Sequence, residues 1–271
     1  MTFAGIGPVV VVGAGKMGLA LARGWVAGGL AGSDLVLVDP EPGAAARAFA
    51  QEHGIRMLQS PLGVLTHVMV LAVKPQVMKP VMAEIQPAVG AHTLVVSIAA
   101  GVSLATLAAG LQTRRIVRAM PNTPAQIGKG ISGAVGLQIS DADREVANTL
   151  LGAAGEVLWF DAETQLDAVT AVSGSGPAYV FYLVEALALA GVRQGLEAGQ
   201  AMQLARQTVI GAAALLEADP QPASVLRENV TSPKGTTAAA LQVLMAPDGL
   251  ERLLDRAVMA ARLRSEELGR D

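Results

Sequence analysis

The run Pro8-Val9-Val10-Val11-Val12 passes directly into Gly13-Ala14-Gly15-Lys16-Met17-Gly18, and the chain continues with the helical pattern Leu19-Ala20-Leu21-Ala22-Arg23. A strand, three glycines at this spacing and a helix leave few folds open. The first glycine permits a tight turn, the second lets the backbone approach a pyrophosphate, and the third lets strand and helix pack closely. Phosphates would then sit at the helix N-terminus. The glycine pattern alone is common, and a tight strand–helix turn without any ligand uses the same residues, but both flanks here fit the dinucleotide reading. A second apolar run, Leu35-Val36-Leu37-Val38, ends in Asp39. An acid about two dozen residues beyond the glycines is placed to accept hydrogen bonds from ribose hydroxyls.

The rest of the chain divides by texture. Short apolar runs at 8–12, 35–38, 68–73, 94–98, 115–119 and 156–160 alternate with helical patterns. That rhythm predicts an α/β domain with a parallel sheet covered by helices on both faces. From about residue 165 onward the periodicity is helical only, over 166–173, 177–193, 197–218, 222–229, 236–246 and 248–268. Gly, Pro and Ser mark breaks at Ser173–Pro177, Asp219–Pro222 and Ser232–Gly235. The expected domains are 1–164, which binds a dinucleotide, and 165–271, all helical.

Composition narrows the function. Hydrophobic residues make up 52% of the 271 and charged residues 16%, so a large core can form and the Ala/Leu excess suits a subunit interface. A net charge of −3 invites neither nucleic acid nor an anionic membrane. With no cysteine there is no disulfide, thiol catalyst or cysteine-bound metal. The N-terminus lacks a signal-peptide pattern, and apolar stretches such as 179–192 are short and interrupted by Glu185. They are expected to be buried helices in a cytoplasmic protein.

Ligands bind outside the carboxyl ends of strands in open parallel sheets. Three segments lie at such ends: Ala72-Val73-Lys74-Pro75-Gln76, Ser97-Ile98-Ala99-Ala100-Gly101, and Met120-Pro121-Asn122-Thr123-Pro124. Each alone is ordinary turn chemistry; together they suggest a lined cofactor cleft. In the helical half, Ser173-Gly174-Ser175-Gly176-Pro177-Ala178 precedes a long apolar helix, with Pro177 suited to a first helical position. It serves either as a tight domain junction or as a place where a ligand or backbone passes closely. Asn229-Val230-Thr231-Ser232-Pro233-Lys234-Gly235-Thr236-Thr237 runs into Ala238-Ala239-Ala240-Leu241. One hydroxyl would suffice to cap that helix. So many hydroxyls and free N–H groups at a helix start favour a carboxylate site.

The missing groups bear on the reaction. His53, His67 and His92 all lie in the first half, away from those strand-end loops, and Lys234 is the one lysine of the second. Tyr179 and Tyr182 are followed at the Tyr-x-x-x-Lys spacing by Leu183 and Ala186. Ketone reduction needs a positioned acid. A protonated C=N already carries its activating charge, so imine reduction mainly needs orientation and exclusion of water.

These blocks together, from Gly13–Gly18 and Ala72–Pro75 through Ser97–Gly101, Asn122-Thr123-Pro124, Val172–Tyr179 and Asn229–Thr237, resemble the pyrroline-5-carboxylate reductase family over nearly the whole length. The last two blocks are the specific ones. The resemblance implies a Rossmann-type parallel sheet followed by an all-α dimerisation domain, and NAD(P)H-dependent reduction of 1-pyrroline-5-carboxylate to L-proline. It implies that Ser232, Gly235, Thr236 and Thr237 hold the substrate carboxylate, with Thr237 near the ring nitrogen as the catalytic residue. The cofactor residues would be Gly13, Ala14, Gly15, Lys16, Met17, Asp39, Ala72, Val73, Lys74, Pro75, Ile98, Ala99 and Ala100, joined by Asn229 from a neighbouring subunit. No metal is implied, and the assembly expected is a homodimer or a larger dimer-based oligomer. Related readings are another imine or 2-hydroxyacid reductase of this architecture, and a dinucleotide sensor without turnover. Two positions stand apart. The family usually has glycine where this chain has Lys234, so a positive φ there would cost roughly 1 kcal/mol; the side chain either faces solvent or adds charge near the carboxylate. Asp39 would repel a 2′-phosphate and Pro40-Glu41 brings no arginine, which favours NADH unless Arg47 swings in.

Overall fold

The computed structural model describes Phe3 and residues 5–269. Eight strands form one sheet: β1 (Val9–Val12), β2 (Leu35–Val38), β3 (Arg56–Leu58), β4 (Val68–Leu71), β5 (Leu94–Ser97), β6 (Ile116–Met120), β7 (Gly130–Leu137) and β8 (Gly155–Trp159). Their spatial order is β3-β2-β1-β4-β5-β6-β7-β8. Helices α1 (Lys16–Ala27), α2 (Ala44–His53), α3 (Pro75–Ile85), α4 (Leu104–Leu111) and α5 (Asp141–Gly152) connect them.

All four residues of β1, β2, β4 and β5 are buried, which is why these strands are near-continuous apolar runs, closed in β5 by the buried Ser97, rather than alternating ones. Their side chains divide by parity. Val9, Val11, Leu35, Leu37, Val68 and Val70 join Leu21 and Trp25 of α1 and Leu150 of α5 in one core layer. Val10, Val12, Val36, Val38, Met69 and Leu71 join Met78 and Met82 of α3 and Leu107 of α4 in the other. The Trp25 indole N–H donates to the Leu150 carbonyl at 2.7 Å, so the largest buried side chain leaves no orphan donor.

Two strands were not expected from sequence. β3 is a three-residue, half-exposed edge strand. β7 carries three glycines and a serine in eight residues, so it has no aliphatic run to announce it. β7 also pairs antiparallel with β6, the one antiparallel pair among the described strands. Only the short 3-10 turn Thr123–Ile127 joins them, and a parallel return needs a crossover of about a dozen residues. α5 supplies such a crossover, so β8 returns parallel to β7.

After β8 the described residues contain helices only: α6 (Gln165–Val169), α7 (Gly176–Arg193), α8 (Ala198–Ala218), α9 (Ala223–Asn229), α10 (Thr236–Leu244) and α11 (Leu250–Leu268). The expected break at Ser173–Pro177 is instead a π-helical turn, Thr170–Gly174, so that 165–193 is one nearly continuous helical run. Contacts divide the chain into two compact units, residues 1–175 with 261–271, and residues 176–260. In the second unit α7 and α8 form an antiparallel hairpin through Gly195 (φ +97°) and meet along a seam of small residues, Ala188, Gly191, Ala201 and Ala205.

α7 was expected to be buried, and in the single chain it is not. Val180, Phe181, Tyr182, Leu183, Leu187 and Leu189 are exposed, and Ala188 is its one buried residue. By length and composition the 165–193 run would even suffice to cross a membrane. The apolar pattern marks a face that one protomer does not cover.

Candidate active site

The carboxyl ends of four strands are in register. Val12 lies beside Val38 on one side and Leu71 on the other, and Leu71 lies beside Ser97. The next residues, Gly13, Asp39, Ala72 and Ile98, therefore line one edge. The chain order reverses between β1 and β4, so this edge is the topological switch point where such sheets bind ligands.

Each glycine of the first turn has a distinct geometric reason. Gly13 has φ +97°, and a Cβ there would lie 2.8 Å from Val73 Cγ1 and 2.9 Å from the Ala72 carbonyl. At Gly18 a Cβ would come within 2.4 Å of the Gly13 carbonyl oxygen and 3.2 Å of Ala72 Cβ. At Gly15 it would meet nothing within 4 Å: the space over this backbone is open. Tight packing at the first and third glycines and clearance at the second form the cradle that a dinucleotide pyrophosphate fills. Gly15 caps α1 without any side-chain hydrogen bond, and no acid lies in the first turn. Lys16 instead occupies the first helical position, where a cation opposes the helix dipole and an anion would relieve it. Lys74 similarly precedes Pro75 at the start of α3.

Asp39 has two backbone partners. Oδ2 accepts from the Ala14 N–H and Oδ1 from the Glu41 N–H, both at 2.9 Å. A carboxylate has about four acceptor sites, so lone pairs remain for ribose hydroxyls. Ile98 and Ala99 are buried and Ala100 is half-buried at the end of β5. The third strand-end segment behaves differently: Asn122 Oδ1 accepts from the Ile131 N–H at 3.0 Å, so this side chain holds the β6–β7 turn.

The remaining predicted residues belong to the helical unit. Asn229 ends α9 and is exposed. Thr231 is tied back to α9 through its Oγ1, which donates to the Arg227 carbonyl at 2.6 Å. The Ser232 carbonyl accepts from the Gly235 N–H at 3.0 Å, closing the turn. A Cβ on Gly235 would lie 2.3 Å from Ser232 Oγ and 3.1 Å from the Ser232 carbonyl oxygen, so a side chain there would displace the Ser232 hydroxyl. Gly235 caps α10 with no side-chain bond, and among the described residues nothing accepts from the N–H groups of Thr236, Thr237 and Ala238. Ser232 and Thr236 are exposed and Thr237 half-buried. Hydroxyls and open amides thus converge on a short loop that suits a carboxylate. Lys234 has φ +60°, the left-handed conformation that glycine takes freely.

Comparison with known proteins agrees. The sequence is 45% identical over 266 residues to pyrroline-5-carboxylate reductase of Pseudomonas aeruginosa, covering 96% of each chain. This chain belongs to the pyrroline-5-carboxylate reductase family. Residues 163–268 match the model for pyrroline-5-carboxylate reductase dimerisation, and residues 8–101 match the model for NADP oxidoreductase, coenzyme F420-dependent. The solved reductase of Coxiella burnetii is 33% identical with a TM-score of 0.90, covering 97% of this chain and 98% of that one. That of Plasmodium falciparum, with NADP bound, is 28% identical with a TM-score of 0.80, covering 96% and 97%. The dimerisation match supports homo-oligomer formation, and its residues include α7 with its uncovered apolar face.

Glu163 also has a positioning role that no local sequence pattern marks. Its Oε1 accepts from the Leu104 N–H at 2.7 Å and from Arg118 at 2.5 Å, capping α4 from a distant segment. Its partners are 59 and 45 residues away, so no local pattern announces it. Gly174 had been noted for close passage, and there the neighbour is a side chain: a Cβ would lie 2.8 Å from Met120 Cε.

Proposed function

We propose that this protein transfers hydride from NADH or NADPH to the C=N bond of 1-pyrroline-5-carboxylate, giving L-proline in the last step of proline biosynthesis. The observation that carries the reading is the pairing, in one chain, of a glycine cradle at a switch point with the hydroxyl- and amide-rich loop before α10, in a member of the reductase family.

The bound dinucleotide supplies the hydride at its nicotinamide ring. Gly13, Ala14, Gly15, Lys16 and Met17 would hold the pyrophosphate and Asp39 the adenosine ribose. Ala72–Pro75 and Ile98–Ala100 would line the nicotinamide half, and Asn229 would reach the cofactor of a neighbouring subunit. Ser232, Gly235, Thr236 and Thr237 grip the substrate carboxylate through hydroxyls and the amides of α10. The Thr237 hydroxyl faces the ring nitrogen, where the proton of the iminium stays as the carbon is reduced. The iminium is already electrophilic, so these residues contribute orientation and exclusion of water rather than a strong acid.

Residues 1–164 act in this reading as the dinucleotide-binding domain and 165–271 as the substrate and dimerisation domain. The protein works in the cytoplasm as a homodimer or a larger dimer-based oligomer, with neither nucleic acid nor membrane as partner. The apolar 165–193 run falls within the dimerisation match, which favours a subunit interface over a membrane span. The test follows the loss of reduced nicotinamide with 1-pyrroline-5-carboxylate, in parallel with NADH and NADPH. Turnover with either supports the reading. Cofactor binding without turnover sinks it and favours a sensor or a related reductase.

A further inference from the structure

α11 divides between the two compact units: its residues up to 260 group with the helical unit and those from 261 onward with the sheet unit. The end of the helix is built into the sheet unit by two contacts. Ser265, only 7% exposed, donates from Oγ to Asp167 Oδ1 of α6 at 2.7 Å. Leu268 lies over the turn that follows β5. Gly101 there has φ +73°, and a Cβ on it would stand 3.3 Å from the Leu268 carbonyl oxygen and 3.6 Å from its Cβ. Three residues further on, the start of α4 is held by Glu163 at the Leu104 N–H. Asp167 lies in α6 and Glu163 two residues before that helix starts. The turn that carries Ile98, Ala99 and Ala100 is therefore held on its C-terminal side at two points, Gly101 and Leu104, and both supports lead back to α6 and the residues just before it.

We propose that Ser265 and the last turn of α11 are a positioning element for the dinucleotide: they hold the Ile98–Gly101 turn in the shape that receives the nicotinamide half. The inference rests on the reading that Ile98–Ala100 line the cofactor. Ser265 itself touches no substrate; it acts through Asp167 and the seating of Leu268 on Gly101. A turn fixed in a left-handed conformation at Gly101 relaxes once its backing is loosened, and the backbone facing the nicotinamide moves with it.

The test uses the full, assembled protein and compares Ser265→Ala with Ser265→Thr, which keeps the hydroxyl. Dinucleotide affinity is read by fluorescence titration of NADH and NADPH, substrate KM at saturating cofactor, and amide hydrogen exchange over 98–101. One lost hydrogen bond of ordinary strength predicts about fivefold weaker dinucleotide binding in Ser265→Ala, with recovery to within about twofold in Ser265→Thr. Substrate KM should stay unchanged and Tm should fall by only about 2–4 °C, while exchange at 98–101 accelerates. Unchanged cofactor affinity overturns the proposal. So does a parallel loss of cofactor and substrate affinity with a larger fall in Tm, or a threonine variant no better than alanine. Gly15→Leu separates this result from the underlying reading. If that variant still binds dinucleotide, the cofactor site is misplaced. If it does not bind while Ser265→Ala is unaffected, the brace alone is wrong.

Discussion

The Asp39 carboxylate at the end of β2 accepts a hydrogen bond from the Ala14 N–H at 2.9 Å, so the residue proposed to receive the adenosine ribose also fastens the glycine turn to the neighbouring strand. Charge and anchoring can be separated. Asp39→Asn keeps a carbonyl acceptor for Ala14 and removes the negative charge that opposes a 2′-phosphate. The NADPH-to-NADH ratio of kcat/KM should rise about tenfold. Asp39→Ala loses both roles and should weaken both cofactors. Steady-state kinetics with the two dinucleotides checks this; an unchanged ratio in Asp39→Asn would remove Asp39 from cofactor selection.

Thr237 sits at the second position of α10 beside open amides. Thr237→Ala should lower kcat/KM for 1-pyrroline-5-carboxylate at least about tenfold, the scale of one lost transition-state contact. Dinucleotide affinity should hold, and Thr237→Ser should keep most of the activity. Full activity in the alanine variant would exclude the role.

Lys234 at φ +60° carries a left-handed strain of roughly 1–2 kcal/mol, while glycine there would lose about 0.4–1 kcal/mol through extra freedom of the unfolded chain. Lys234→Gly should therefore stabilise the protein by a net of about 0.5 kcal/mol, measured by denaturant unfolding. If the lysine also serves the carboxylate, substrate KM will rise in this variant and become less salt-dependent. If the side chain merely faces solvent, KM will not change.

Burial tends to raise the Asp143 carboxyl, but hydrogen bonds from Arg115 and from the Ser140 N–H and hydroxyl outweigh it and hold the group below its ordinary value of 3.8. The folded protein then binds this proton more weakly than the unfolded chain does. The stabilisation is fully present above 3.8 and is lost as pH falls through the lowered native value. Asp143→Asn should cost about 2 kcal/mol near neutrality, because Arg115 loses its carboxylate, while the amide carbonyl can still accept from the Ser140 N–H in the α5 capping box. It should also flatten the acid limb of a Tm-against-pH curve. An acid limb as steep as that of the parent protein would show that other carboxylates govern it.

What could be read from the sequence follows from what each element buries. β1, β2, β4 and β5 are covered on both faces, so three or more consecutive apolar residues announce them. β7 satisfies the same sheet with glycines, because Val169 and Ile139 crowd Gly133 and Gly136 and leave no room for larger side chains. Its composition thus imitates a loop. The hydroxyl-rich loop before α10 and the glycine turn after β1 are local in sequence, so their conformations can be read there. The Asp39–Ala14, Glu163–Leu104 and Ser265–Asp167 contacts join segments 25, 59 and 98 residues apart, and no local periodicity encodes them.

The uncovered leucines and aromatics of α7 have a consequence for what stability means in this protein. Burying that face requires a second molecule, so the free energy of folding includes an association term. Dilution alone should lower the melting temperature, and an unfolding midpoint has meaning here only alongside the protein concentration at which it was measured.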